Sequence, residues 1–189
     1  FFLIVPGLSW GMTPPSLYTL LTLNRVENLM SNNTINIALI GYGFVGKTFH
    51  APLIRSVPGL NLAFVASRDE EKVKRDLPDV TVIDSPEAAV QHPDVDLVVI
   101  ASPNATHAPL ARLALNAGKH VVVDKPFTLD MQEARELIAL AEERQRLLSV
   151  FHNRRWDSDY LGIRQVIEQG AIGTVKHFES HFDRFRPEV

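Results

Sequence analysis

Ile35-Asn36-Ile37-Ala38-Leu39-Ile40 runs directly into Gly41-Tyr42-Gly43-Phe44-Val45-Gly46. The first six residues are a short apolar run of the kind that forms a strand buried on both faces. The next six are GxGxxG, and a helix-like stretch follows to about Val57. Three glycines at this spacing say little alone. Between a strand and a helix they mark a turn that holds the phosphates of a dinucleotide. Gly41 suits the tight turn, Gly43 lets the backbone approach a pyrophosphate with no Cβ in the way, and Gly46 allows the helix to pack closely on the strand. The unpaired N–H groups and the dipole at the helix start favour an anion.

The same rhythm continues downstream. Leu62–Ala66, Val80–Ile83, Leu97–Ala101, His120–Val123 and Leu148–Phe151 read as five further strands. Ser85-Pro86-Glu87 opens a helix, with Ser as N-cap and Pro in the first turn. A second helix is predicted over 105–117, closed by Gly118, and a third over 131–147, where Asp130-x-x-Glu133 resembles a capping box. Strands that alternate with helices and are apolar on both faces build a parallel sheet covered on two sides. Right-handed crossovers make that sheet doubly wound, a Rossmann-type α/β fold. After Phe151 the pattern changes. Residues 158–169 read as a helix, Gly173 as a turn, and 174–185 as a strand with Phe178 and Phe182 on one face and Glu179, His181 and Asp183 on the other. Such one-sided alternation predicts an antiparallel sheet, the first elements of an α+β second domain.

Composition narrows the function classes. The chain has 189 residues, 46% of them hydrophobic, a formal net charge of −3 and no cysteine. That length supports one domain and a little more. The slight acidic balance argues against a nucleic-acid partner. Without cysteine there is no disulfide framework and no thiol nucleophile, which suits a reducing, cytoplasmic location. Residues 1–34 carry only Arg25 and Glu27 as charged side chains, and no stretch is long and apolar enough to span a bilayer. The expected plan is a poorly ordered extension at 1–30, a nucleotide-binding Rossmann domain at 31–151, and the start of a second domain at 152–189.

Ligands of such sheets sit at the carboxyl ends of the strands. The second strand ends in Ala66-Ser67-Arg68, with no carboxylate before Asp69. A hydroxyl and a guanidinium there suit a 2′-phosphate, so NADP is expected in preference to NAD. After the later strands come Ser102-Pro103-Asn104-Ala105-Thr106-His107, Asp124-Lys125-Pro126-Phe127 and His152-Asn153-Arg154-Arg155-Trp156-Asp157. Lys125 follows a buried strand and precedes a proline, where it can hydrogen-bond a substrate hydroxyl during hydride transfer. The competing reading is a surface lysine paired with Asp124. Asn104 or Thr106 can cap the following helix, His107 can be a first-turn residue, and Arg154, Arg155 and Trp156 can bridge two domains. His177, Glu179 and His181 alternate on one face, but hydride chemistry with a nicotinamide needs no metal, so no metal site is expected.

Taken together, Gly41–Gly46, Phe49-His50-Ala51-Pro52, Ser102–His107, Ala117–Pro126 and Phe151–Asp157 resemble the Gfo/Idh/MocA oxidoreductases, relatives of glucose–fructose oxidoreductase and inositol 2-dehydrogenase. The resemblance covers roughly 31–189. It implies a nicotinamide-dependent enzyme acting on sugars, polyols or related hydroxy and keto compounds, homo-oligomeric at full length, with no membrane partner. By the family's Glu-Lys-Pro motif, Lys125 takes the catalytic lysine's place, with Asp124 standing where the family has Glu. Pro103, Asn104 and His107 match a Pro-Asn-x-x-His segment that lines the cofactor. Asn153 and Arg154 match a loop near the nicotinamide. The implied binding set is Gly41, Tyr42, Gly43, Phe44, Val45, Gly46, Ser67, Arg68, Ser102, Pro103, Asn104, His107, Asp124, Lys125, Asn153 and Arg154. A family motif of the form Gly-Gly-x-x-x-Asp-x-Gly-x-His does not occur. The chain therefore reads as an enzyme cut short in its second domain, able to bind cofactor and inactive alone. A non-catalytic dinucleotide-binding module is the alternative.

Overall fold

A computed structural model describes residues 2, 3, 34–183, 185 and 187. Two compact units divide the chain, Phe1–His152 and Asn153–Val189. In the first, six parallel strands are β1 (Ile35–Ile40), β2 (Leu60–Ala66), β3 (Thr81–Ile83), β4 (Leu97–Ile100), β5 (His120–Val123) and β6 (Leu148–Val150). Their order across the sheet is β3-β2-β1-β4-β5-β6, and Phe2–Leu3 pairs antiparallel to the outer edge of β6. The order reverses between β1 and β4, which pair in register from Ile37↔Leu97 to Ile40↔Ile100. That reversal opens a crevice at the carboxyl ends of the two strands.

Both faces of the sheet are buried, as the apolar runs require. Ala38 and Ile40 of β1 pack on one side, with Val98 and Ile100 of β4 and with Leu110, Ala111, Ala114, Leu115, Leu137 and Ala141. The last six come from α4 (His107–Asn116) and α5 (Met131–Glu143). Ile37 and Leu39 face the other way and pack with Ile54 of α1 (Ala51–Ser56) and Val73 of α2 (Glu70–Asp76). Side chains alternate along a strand, so one six-residue strand serves two cores. Caps fix where the helices begin. Ser85 accepts the Ala88 N–H ahead of α3 (Pro86–Gln91), and Asp130 accepts those of Gln132 and Glu133 ahead of α5.

Several boundaries differ from the sequence expectation. The helix α5 stops at Glu143 rather than 147, because Gln145 adopts φ 53° and the chain turns into β6. A helix that the apolar pattern did not reveal, α2, is almost wholly charged and buries only Val73. The expected antiparallel second sheet is absent: the described residues of 174–185 form no strand, and the sheet of the first unit is the Rossmann sheet alone apart from the Phe2–Leu3 edge pair. A strand is held by the N–H and C=O groups of a neighbouring strand, and alternation of Phe and charged residues supplies no such partner. The second unit instead carries α6 (Ser158–Glu168), with none of its residues buried. The remainder of the extension expected at 1–30 lies outside the described residues. No helix among the described residues is long and apolar enough to cross a membrane.

The turn after β1 is the tightest joint in this frame. Gly41 has φ +96°, and a Cβ there would lie 2.7 Å from the Ala101 carbonyl oxygen at the end of β4. A Cβ on Gly46 would lie 2.2 Å from the Gly41 carbonyl oxygen. Neither obstacle is a flexible side chain. Gly46→Ala is therefore expected to lower unfolding free energy by about 1–3 kcal/mol, the range for forced overpacking. Urea unfolding followed by circular dichroism measures it, and an unchanged midpoint would show that the turn relaxes freely.

Candidate functional site

Four strand ends meet on one rim. The Gly41 N–H donates to Ala66 O (3.0 Å), Ala101 N–H to Ile40 O (2.9 Å), Asp124 N–H to Ile100 O (2.8 Å) and Phe151 N–H to Val123 O (2.8 Å). Each bond ties the first residue past one strand to the last residue of its neighbour. The glycine turn, the Ser102 loop and the Asp124 loop are thus brought together by the sheet itself. Gly43 sits exposed at the head of the helical segment, and a Cβ on it would meet nothing within 4 Å. That open space faces a backbone already tightened on both sides by Gly41 and Gly46, a cradle suited to an anion approaching main-chain N–H groups. The segment continues as a π-helical stretch, Gly46–His50, before α1. Of the intervening residues, Phe44 is exposed and Val45 half-buried, while Tyr42 turns inward and its hydroxyl donates to Asp76 at 3.5 Å.

At the end of β2, Ser67 and Arg68 precede α2. Arg68 is exposed and without a side-chain partner among the described residues. Asp69, the nearest carboxylate, is committed elsewhere: it caps α2 by accepting the Lys72 N–H at 3.0 Å, and its own N–H donates to Ser67 Oγ at 3.1 Å. Arg68 is the cation at this corner, beside the capping carboxylate of Asp69 and the exposed Glu70 and Glu71 that open α2.

The Ser102 loop and the Asp124 loop are held together by His107. That residue is 1% exposed, its Nδ1 lies 2.7 Å from Pro126 O, and its Nε2 lies 3.0 Å from Ser102 O. It stands behind the rim as a brace between two loops. Thr106 caps nothing with its side chain; its hydroxyl donates to Pro103 O and lies 2.6 Å from Ser102 Oγ. Asn104 is exposed, in a single 3-10 turn, Asn104–Thr106, along with the exposed Pro103 before it. The Lys125–Pro126 peptide is cis. Lys125 is exposed and makes no ion pair with Asp124 among the described residues, whereas Asp124 is buried.

Behind Asp124 lies a residue quoted in the sequence only as part of Phe49-His50-Ala51-Pro52. His50 is 2% exposed, its ring packs 4.3 Å from that of Phe151, and its Nε2 has no hydrogen-bond partner. Asp124 Oδ1 is 4.0 Å away. Burial pushes the imidazole pKa down and the Asp124 charge pulls it partly back. No pattern in the sequence separates a buried, unsatisfied histidine from an exposed one. Asn153 and Arg154 open the second unit; Arg154 pairs with Asp157 at 2.8 Å and its guanidinium lies 5.5 Å from the centre of the Phe182 ring. His177 and Glu179 approach to 3.9 Å, and among the described residues no group of three or more His, Cys, Asp or Glu side chains is arranged to hold a metal ion.

Comparison with known proteins agrees with this geometry. The family described as oxidoreductase family, NAD-binding Rossmann fold (GFO_IDH_MocA), matches residues 35–152. The uncharacterized oxidoreductase YdgJ of Escherichia coli is 59% identical over 160 residues, covering 85% of this chain and 46% of that one. The scyllo-inositol 2-dehydrogenase (NADP(+)) IolW of Bacillus subtilis is 36% identical over 157 residues, covering 83% of this chain and 44% of its own length. A solved structure of a protein from Klebsiella pneumoniae is 97% identical with a TM-score of 0.81, covering 82% of this chain and 45% of that one. The chain spans a little under half the length of the relatives it matches.

The brace has a measurable consequence. His107→Ala removes the one N–H that a neutral imidazole donates to these two carbonyls and leaves a void in a buried place, so unfolding free energy is expected to fall by about 2–4 kcal/mol. Urea denaturation of the purified variant measures this, and a loss below about 0.5 kcal/mol, within the range of ordinary surface changes, would remove His107 from the frame.

Proposed function

The chain belongs to the Gfo/Idh/MocA oxidoreductase family, and from that premise we propose that it binds a nicotinamide dinucleotide, NADP in preference to NAD, for hydride exchange with a sugar, polyol or related hydroxy or keto compound. The observation that carries this reading is the open space at Gly43, flanked by the closed packing of Gly41 and Gly46 at the strand-order reversal. Residues 31–151 form the nucleotide-binding domain in this reading, and 152–189 begin a domain for substrate and for homo-oligomer contacts. The zero cysteine content suits a reducing, cytoplasmic setting.

The residues divide the work as follows. Main-chain N–H groups from Gly43 to Gly46 hold the pyrophosphate, and the Cβ-free face of Gly43 admits it. Arg68 and Ser67 take the 2′-phosphate: Arg68 is exposed with no side-chain partner among the described residues, and Asp69, the nearest carboxylate, has one oxygen engaged as a helix cap. Ser102, Pro103 and Asn104 line the nicotinamide side. The bound dinucleotide supplies the hydride acceptor or donor. Lys125 presents an exposed ammonium at the same rim and holds or releases the proton of the substrate hydroxyl. By the family resemblance Asn153 and Arg154 also belong to the cofactor-binding set. The bounds on substrate are chemical: a carbon that carries a hydroxyl or a ketone and hydrogen-bonds an ammonium. The Bacillus subtilis relative, by its name an NADP-dependent dehydrogenase of scyllo-inositol, supports both the cofactor and the polyol class.

Fluorescence titration with NADPH and NADH tests this. Wild type is expected to bind NADPH more tightly. Arg68→Ala should weaken NADPH by about 10–100-fold, the range for a charge-assisted hydrogen bond, and leave NADH unchanged. Gly43→Ala should lose affinity for both cofactors while keeping the wild-type urea midpoint, in contrast to Gly46→Ala. Tighter NADH binding, or an Arg68→Ala variant indifferent to the 2′-phosphate, would defeat the NADP reading.

A further inference from the structure

We propose that His50 is a positioning residue for Asp124 and Lys125, its Nε2 poised to donate to the Asp124 carboxylate once the two side chains close on one another and so to fix the acid that stands directly before the proton-handling lysine. This rests on the reading of Lys125 given above. Three observations support the assignment. His50 is 2% exposed and its Nε2 is a buried polar atom with no partner. A ring in that place that only filled space against Phe151 would do better apolar, since an unsatisfied buried donor is costly. The acceptor it faces is Asp124 Oδ1, whose side chain is itself only 13% exposed, and Asp124 is the one charge that acts appreciably on the imidazole.

The gap is as informative as the contact. At 4.0 Å the pair is too long for a direct hydrogen bond, by about 1.2 Å against the usual N–H···O distance. The Asp124 main chain is pinned to Ile100, so the distance must close through the Asp124 side chain and the His50 ring. One added methylene, with a C–C bond of about 1.5 Å, has the reach to close it. Asp124→Glu is therefore expected to complete the bond that Asp124 leaves open, and Asp124→Asn to remove the charge while keeping the shape.

The first test follows the imidazole resonances of His50 in the isotope-labelled full chain by NMR, from about pH 5 to about pH 8, the range in which histidine titrates. The wild-type midpoint is expected below the ordinary histidine value, lower again in Asp124→Asn, and higher in Asp124→Glu. A midpoint that moves in neither variant overturns the pairing, and the two opposite shifts guard against one variant failing to fold. The second test is NADPH affinity. His50→Leu is expected to bind about fivefold more weakly, the scale of one net hydrogen bond, and His50→Gln, which keeps a donor, within about twofold of wild type. Equal loss in both variants, or in neither, overturns the positioning role. A wild-type chain that does not bind NADPH defeats the dinucleotide reading, and the NMR titration, which needs no cofactor, still decides the His50–Asp124 pair.

Discussion

The approach of Gly46 to the Gly41 carbonyl sets the geometry of everything at the rim. A helix that starts this close to the turn it leaves must run back over the strand it came from, and so it covers Ile37 and Leu39 on one face of the sheet. The same turn presses Gly41 against Ala101, fixing the helical segment relative to the end of β4 as well as β1. Two side-chain-free contacts therefore locate one helix start against two strands. The third glycine of the turn is left with open space around it. Closure at two positions and openness at one is what converts a tight turn into a receptor for an anion.

Parallel strands extend this precision along the rim. Because β1, β4, β5 and β6 all end at the same side, the first residue past each one donates into its neighbour, and the loops start from fixed points. Loops free to wander from such points would blur the site. The carbonyls of Ser102 and Pro126 prevent this by converging on the two nitrogens of His107, so a buried side chain from α4 does for the loops what the ladder does for the strands. Lys125 is then exposed on a loop whose next residue is anchored from beneath, which is the arrangement a proton-handling group needs.

What the sequence revealed follows from what burial writes into it. The central parallel strands were legible because both faces are buried, which forces continuous apolar runs such as Leu97-Val98-Val99-Ile100. The glycine turn was legible because three positions admit no side chain or demand open space. The helix α2 left almost no trace, since Glu70-Glu71-Lys72-Val73-Lys74-Arg75-Asp76 buries one residue and a single valine has no period. Residues 174–183 misled for the opposite reason: alternation describes how a strand would divide its faces, and only a partner strand can make it one. The place of His107 behind the rim, with both ring nitrogens facing carbonyls, depends on two loops distant in sequence, so it could not be read from a Pro-Asn-x-x-His segment.

The two buried histidines show why satisfaction of polar atoms says more than burial. His107 and His50 are equally hidden from solvent, yet each nitrogen of the first meets a main-chain oxygen while Nε2 of the second meets a carboxylate across a gap. Main-chain acceptors cannot change charge, so bonds to them make a fixed brace. A carboxylate can gain a proton and its side chain can rotate, so a donor aimed at one answers to the charge state of the site. The depressed imidazole pKa gives that coupling a direction. Burial favours the neutral ring, so the stability it brings is present above about pH 6.5, the unfolded value, and is lost as pH falls from there toward the lower native value. Any change at Asp124 that strengthens the negative charge facing the ring raises the native imidazole pKa and so narrows that window from its acid side. Acid tolerance of the fold and the setting of Lys125 thus depend on the same carboxylate.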